Sequence, residues 1–154
     1  MKPNLITEGR KAMIRRLGSI TPANGYRTNA GERVSSGWLT DIVNQDTSGF
    51  PLIVVQKARD LEPKPGPAAM VVHPGFHVIG AVEAGFDGYD DALEDLQEDL
   101  LRCLMPELNQ LPAWLPKGVT AATYGAAQSF PPGEGLRCAT VVIPIYLKTV
   151  IQKG

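Results

Sequence analysis

The chain has 154 residues, enough for one domain that buries roughly 70% of its unfolded surface. Its 44% hydrophobic and 20% charged residues are those of an ordinary globular protein, which excludes a disordered or fibrous chain. A formal net charge of −1 excludes a global pull toward nucleic acid, and no run reaches the ~20 apolar residues of a membrane span. The first twenty residues lack the apolar core of a signal peptide, so a soluble protein made in a cytoplasm is expected, with Cys103 and Cys138 reduced and buried.

Asn4 to Leu17 reads as a helix. Leu5, Ile6, Met13 and Leu17 share a broad apolar face, the basic residues take the other side, and Gly18 suits the C-terminal cap. Thr21-Pro22-Ala23-Asn24-Gly25 holds two turn signals. Tyr26 to Val34 is polar and predicts a short extended piece or loop. Trp38, Leu39, Ile42 and Val43 suggest a short strand or irregular cover, followed by a turn-rich stretch to Gly49. Phe50 to Gln56 predicts a strand with Pro51 at its start. Leu61 to Pro67, with three prolines and a glycine, predicts a loop or extended arm. Met70 to Ala84 reads as a strand pair or one bent strand, broken at His73-Pro74-Gly75.

The stretch from Asp87 to Leu104 is the most informative. Asp87, Asp90, Asp91, Glu94, Asp95, Glu98 and Asp99 face a single opposing cation, Arg102. Leu93, Leu96, Leu100 and Leu104 recur at three and four, placing the leucines on one helical stripe and the carboxylates outward. Asp87 or Asp91 is the expected N-cap. Leu111 to Pro116 is a connector, Val119 to Phe130 an extended run and Pro131 to Gly135 a loop. Leu136 to Val150 is the last strand, with Pro144 marking an edge or bulge. The whole predicts a single α+β domain over residues 1–154, with a mixed or antiparallel sheet and two main helices packed on it.

Chemistry is sparse. His73 and His77 have metal-pair spacing, but Pro74 and Gly75 exclude the helix that would bring them together. The acidic run lacks the alternating ligands and distal Glu of a calcium loop, and acids in a first turn already complement the helix dipole. There is no nucleophile elbow, no phosphate-binding P-loop and no cysteine set for a structural zinc. Lys57, Arg59 and Lys64 lack the interleaved aromatics of a nucleic-acid surface and suit a protein-facing edge. The expectation is no catalytic, metal or cofactor-binding residue, and no sequence-specific contact with nucleic acid.

Four features in this order carry a resemblance: the N-terminal helix with Asn24-Gly25-Tyr26-Arg27-Thr28 after it; Phe50-Pro51 opening the strand Leu52 to Gln56; Val78 to Glu83 leading into Asp90-Asp91-Ala92-Leu93-Glu94-Asp95-Leu96; and a closing strand pair. The layout resembles the tail terminator (minor tail, tail completion) proteins of long-tailed bacteriophages. The resemblance implies a small α/β subunit of a hexameric ring in the virion, assembled in the host cytoplasm. That ring would cap the head-proximal end of the tail tube, with the tube protein and the head–tail connector as partners.

A ring subunit needs two different complementary faces. The basic first helix and the acidic helix can supply them. The candidate interface is Arg15, Arg16, Lys57, Arg59 and Lys64 on the basic side, and Asp91, Asp95 and Glu98 on the acidic side. Two alternatives stand beside this: a head–tail connector or neck protein, and a small metal- or ligand-binding domain that uses the acidic helix.

Overall fold

A computed structural model describes residues 2–45, 49–84, 88–107, 111–133 and 137–154. Asp87 as an N-cap, the tip of the turn before Gly49 and the start of the last strand at Leu136 fall outside these residues. The described elements are helix α1 (Leu5–Leu17), strand β1 (Val34–Ser36), helix α2 (Leu39–Val43), strands β2 (Leu52–Gly66) and β3 (Ala69–Glu83), helix α3 (Tyr89–Leu104), and strands β4 (Val119–Tyr124), β5 (Gln128–Phe130) and β6 (Cys138–Gln152). The strands form one mixed sheet in the order β1-β2-β3-β6-β4, with β5 also paired to β6. Only β1 on β2 is parallel among the described pairs. This is the expected α+β domain.

Period two along the three long strands builds two layers of core. Ile53, Val55, Phe76, Val78, Val82, Val141, Ile143, Ile145 and Leu147 face α1 and α3, and meet Met13, Leu17, Leu93, Leu96, Leu100 and Leu104 there. Leu52, Val54, Ile79, Ala81 and Cys138 point to the opposite face, where the short α2 covers them with Leu39, Ile42 and Val43. The stretch around Trp38 is therefore a helical turn instead of a strand. Its job is to cap the second face of a sheet that is apolar on both sides.

The proline-rich segment takes the second of its two expected forms, an extended arm. Leu61 to Gly66 is not a loop but the distal half of β2, paired to β3 as far as Gly66↔Ala69. β2 has a neighbour on only one side there, since β1 pairs only with Ile53 to Val55. Prolines at alternate positions 63 and 65 can turn their missing N–H groups away from the ladder. Two register shifts, between Ala58 and Leu61 and between Leu61 and Lys64, absorb the remaining irregularity.

His73-Pro74-Gly75 does not break β3 either. Gly75 sits where the β2 bulge crosses it, and a Cβ there would lie 2.2 Å from the Arg59 carbonyl oxygen. Glycine is thus the residue that lets a continuous strand pass. Asp60, at the bulge, accepts from the Gly75 N–H at 3.0 Å and from Lys57. Pro144 is also placed differently from the expectation. β6 is an inner strand, with β3 on one side and β4 and β5 on the other, and Pro144 lies at the gap where β4 gives way to β5. Its carbonyl accepts there from Gly125.

Both long helices begin and end for readable reasons. The Asn4 side chain accepts from the Ile6 and Thr7 N–H groups, closing the first turn of α1. Gly18 is its C-cap, in right-handed rather than left-handed geometry. The N-cap of α3 is Gly88, not an aspartate; Asp90 and Asp91 lie in the first turn, where they complement the dipole. Gly80 on β3 brings α3 close, since a Cβ there would lie 2.7 Å from Leu96.

Candidate functional site

The acidic helix has two chemically different sides. Leu93, Leu96, Leu100, Cys103 and Leu104 are buried against the sheet, each leucine contributing about 1.5–3 kcal/mol by leaving water. Asp99 is buried with them, at 0% exposure. The expectation that every carboxylate faces outward fails at this position. The reason is that the chain between α1 and β1 supplies the donors. Asp99 Oδ1 accepts from the Arg27 N–H at 3.0 Å, and Oδ2 accepts from the Thr28 N–H and the Thr28 hydroxyl, both at 2.8 Å. A buried carboxylate is tolerated where hydrogen bonds replace its hydration.

This clamp sits inside a larger contact. Arg27 Nε pairs with Glu98 at 3.2 Å, and both side chains are half-exposed. Arg102 donates to the Gly25 carbonyl at 3.3 Å, and its guanidinium lies 5.4 Å from the centre of the Tyr26 ring. Asn24 turns back to donate to the Ser19 carbonyl at 2.8 Å. The Asn24-Gly25-Tyr26-Arg27-Thr28 turn and the acidic helix, two separate features of the sequence, are therefore one contact in space. Gly25 takes a left-handed φ of 87°, the conformation that makes Asn-Gly a turn signal.

The eight residues expected at an interface divide unevenly. Arg16 is turned inward, its Nε donating to the Cys103 carbonyl at 2.9 Å, so it ties α1 to α3 instead of presenting charge. Glu98 is engaged with Arg27, and Lys57 with Asp60. Arg15, Arg59, Lys64, Asp91 and Asp95 are exposed and form no ion pair among the described residues. The structure does not gather them: Arg15 is on α1, Arg59 and Lys64 are on the edge of β2, and Asp91 and Asp95 are on α3.

Burial governs the titration of both cysteines. Burial pushes the Cys103 thiol up, against the lowering effect of Ser19, Tyr26 and Arg16. The Cys138 thiol is likewise raised by burial. Raised, buried thiols are poor nucleophiles. Burial alone would raise Asp60, but the Lys57 hydrogen bond, the Gly75 N–H and the Lys57 charge outweigh it and hold its carboxyl below the ordinary value. His73 and His77 point to one face of β3, four residues apart along an extended strand. Among the described residues, no three His, Cys, Asp or Glu side chains gather as metal ligands do. No described helix is long and apolar enough to cross a membrane.

One surface feature had no signal in the sequence, and a second had only the expectation of an extended arm at Leu61 to Pro67. The first is a groove of about 290 Å³ between α1 and the β1–β2 edge, with Trp38 at its rim. The second is the end of the three-stranded arm formed by the distal β2–β3 hairpin and the end of β6. Residues 59–66 are all exposed there. Met70 pairs with Ile151 on one face, while Leu61, opposite His73, lies on the other, and all three are exposed. Finding either would have needed the strand register, which decides what lies beside what. No protein-family model matches the chain, and a search of curated proteins returns no match.

Proposed function

We propose that this chain is a structural subunit of a bacteriophage tail. Its copies form a ring at the head-proximal end of the tail tube, end tube polymerisation and offer a surface for head joining. The observation that carries this reading is the arm. A thin three-stranded extension that exposes Leu61 on one face and Met70 and Ile151 on the other is poorly suited to standing alone in water. It is suited to lying between neighbours. The free edge of β2 on this arm carries Arg59, Asp60, Glu62, Lys64 and two prolines, which discourage indiscriminate strand pairing. Contact is then directed to the faces of the arm. The layout of α1, the Asn24–Thr28 turn, β2, β3 and α3 is the one on which the resemblance to tail terminators rests. The partners on this reading are other copies of the chain, the tube protein and the head connector.

Deleting the gene and viewing the particles by electron microscopy tests the proposal. Overlong tubes are the expected result. Tails of normal length that fail to attach to heads would move the chain to the connector instead. Normal, head-bearing phage would remove it from the tail altogether.

A further inference from the structure

Trp38 is among the most exposed large hydrophobic side chains of the described residues, at 60%. It stands at the rim of the groove between α1 and the sheet edge, whose floor and walls include Ile6, Val55 and Phe76. Arg10 and Lys57 line the same groove. Arg10 donates to the Ser36 hydroxyl at 2.8 Å and forms no ion pair among the described residues. Lys11 and Arg15 follow Thr7, another lining residue, at four and eight positions, so they extend the groove with positive charge along the outside of α1. The cleft is thus apolar at its base, aromatic at its lip and cationic around it. Such a site fits a ridge that is apolar and anionic.

The same chain carries that ridge. At 100° per residue, Asp90, Asp91, Glu94, Glu98, Leu101 and Met105 fall within about 100° of arc on the outer side of α3 and the turn that ends it. The acids occupy the first part of this stripe, and Leu101 (36% exposed) and Met105 (51% exposed) end it. Of the four acids, only Glu98 has an ion-pair partner among the described residues. Groove and ridge are different surfaces, so a contact between them is heterologous. Repeated from copy to copy, it closes into a ring or runs on as a filament.

We propose that the Trp38 groove receives the outer ridge of α3 from a second copy of this chain. Leu101 and Met105 seat against Trp38 and Ile6, and Glu94 with Asp91 faces Lys11 and Arg15. This deepens the ring reading and rests on its premise that copies associate head to tail.

Four chains test it by native mass spectrometry at low ionic strength: wild type, Lys11→Glu with Arg15→Glu, Asp91→Lys with Glu94→Lys, and Trp38→Ala. Wild type is expected to form oligomers. Each charge reversal is expected to fall to monomer. An equimolar mixture of the two reversed chains is expected to reassemble with both in equal number, because each then meets an opposite charge at both joints. Trp38→Ala is expected to weaken association roughly tenfold or more. Circular dichroism establishes that each variant is folded, since lysines early in α3 oppose its dipole. Wild-type oligomers unmoved by either reversal or by Trp38→Ala would overturn the joint and leave the ring reading standing. A mixture that stays monomeric would also overturn it, as would a wild-type chain that remains monomeric at every concentration. That last outcome would count against the ring reading as well, which otherwise falls on tube length in the deletion experiment.

Discussion

The two sides of α3 carry the same residue type and treat it in opposite ways. Asp95 and Asp99 are one turn apart. Asp95 is exposed, near Arg27 but outside ion-pair distance, while Asp99 is wholly buried and bonded to two peptide N–H groups and a hydroxyl. The inner side is therefore a structural surface in which a charge is admitted only because the Arg27–Thr28 chain meets it. The outer side keeps its charges for water or for another molecule. A carboxylate's role on this helix is set by which way its turn faces, not by its place in an acidic run.

Substitutions at descending cost sharpen that contrast. Leu100→Ala, at the centre of the inner stripe, is expected to lower unfolding free energy by about 2–5 kcal/mol, read from the midpoint of urea denaturation. Asp99→Ala is expected to cost about 2–3 kcal/mol, because it leaves the Arg27 and Thr28 N–H groups without a partner. Asp99→Asn should cost less, since one oxygen remains to accept. If Asp99→Ala instead melted with the wild type, the clamp would be a contact without energetic weight and the two sides of α3 would not differ.

Asp60 is an intermediate case, half-exposed yet bonded to Lys57 and Gly75. Its folded carboxyl lies below the ordinary value of 3.8, so its stabilisation is full above that pH and is lost as pH falls through the folded value. The stability gap between wild type and Asp60→Asn should therefore be constant near neutrality and close in acid. Solvent screening keeps this gap smaller than that for Asp99→Ala. The smallest effect belongs to the outer side. Asp91→Asn is expected to leave stability within about 0.5 kcal/mol of wild type by thermal melting, with any larger consequence confined to association.

Much of the fold was legible because periodicity survives in it. The leucine spacing of α3, the first helix running to Leu17 and the strand opening at Pro51 all lie where the pattern put them. The misread segments share one cause. His73–Gly75 and Pro144 carry residues that discourage regular strands in isolation, yet each is held in the sheet by a particular neighbour. Of the expected interface, Arg15, Asp91 and Asp95 are exposed as an interface requires, whereas Arg16 is spent on the Cys103 carbonyl. Nothing local to Arg16 distinguishes it from Arg15. Only the position of α3 beside α1 does.

The sequence by itself determined the class of the domain, its two long helices, its apolar strands and the uneven distribution of its charge. These follow from local propensity and from periods of 3.6 and 2, which act over a few residues. Tertiary structure alone decided that Asp99 belongs to the core, that the Asn24–Thr28 turn is docked on α3, and that Trp38 stands over a groove. Each of those depends on groups tens of residues apart in the chain, and the sheet register and helix packing bring them together.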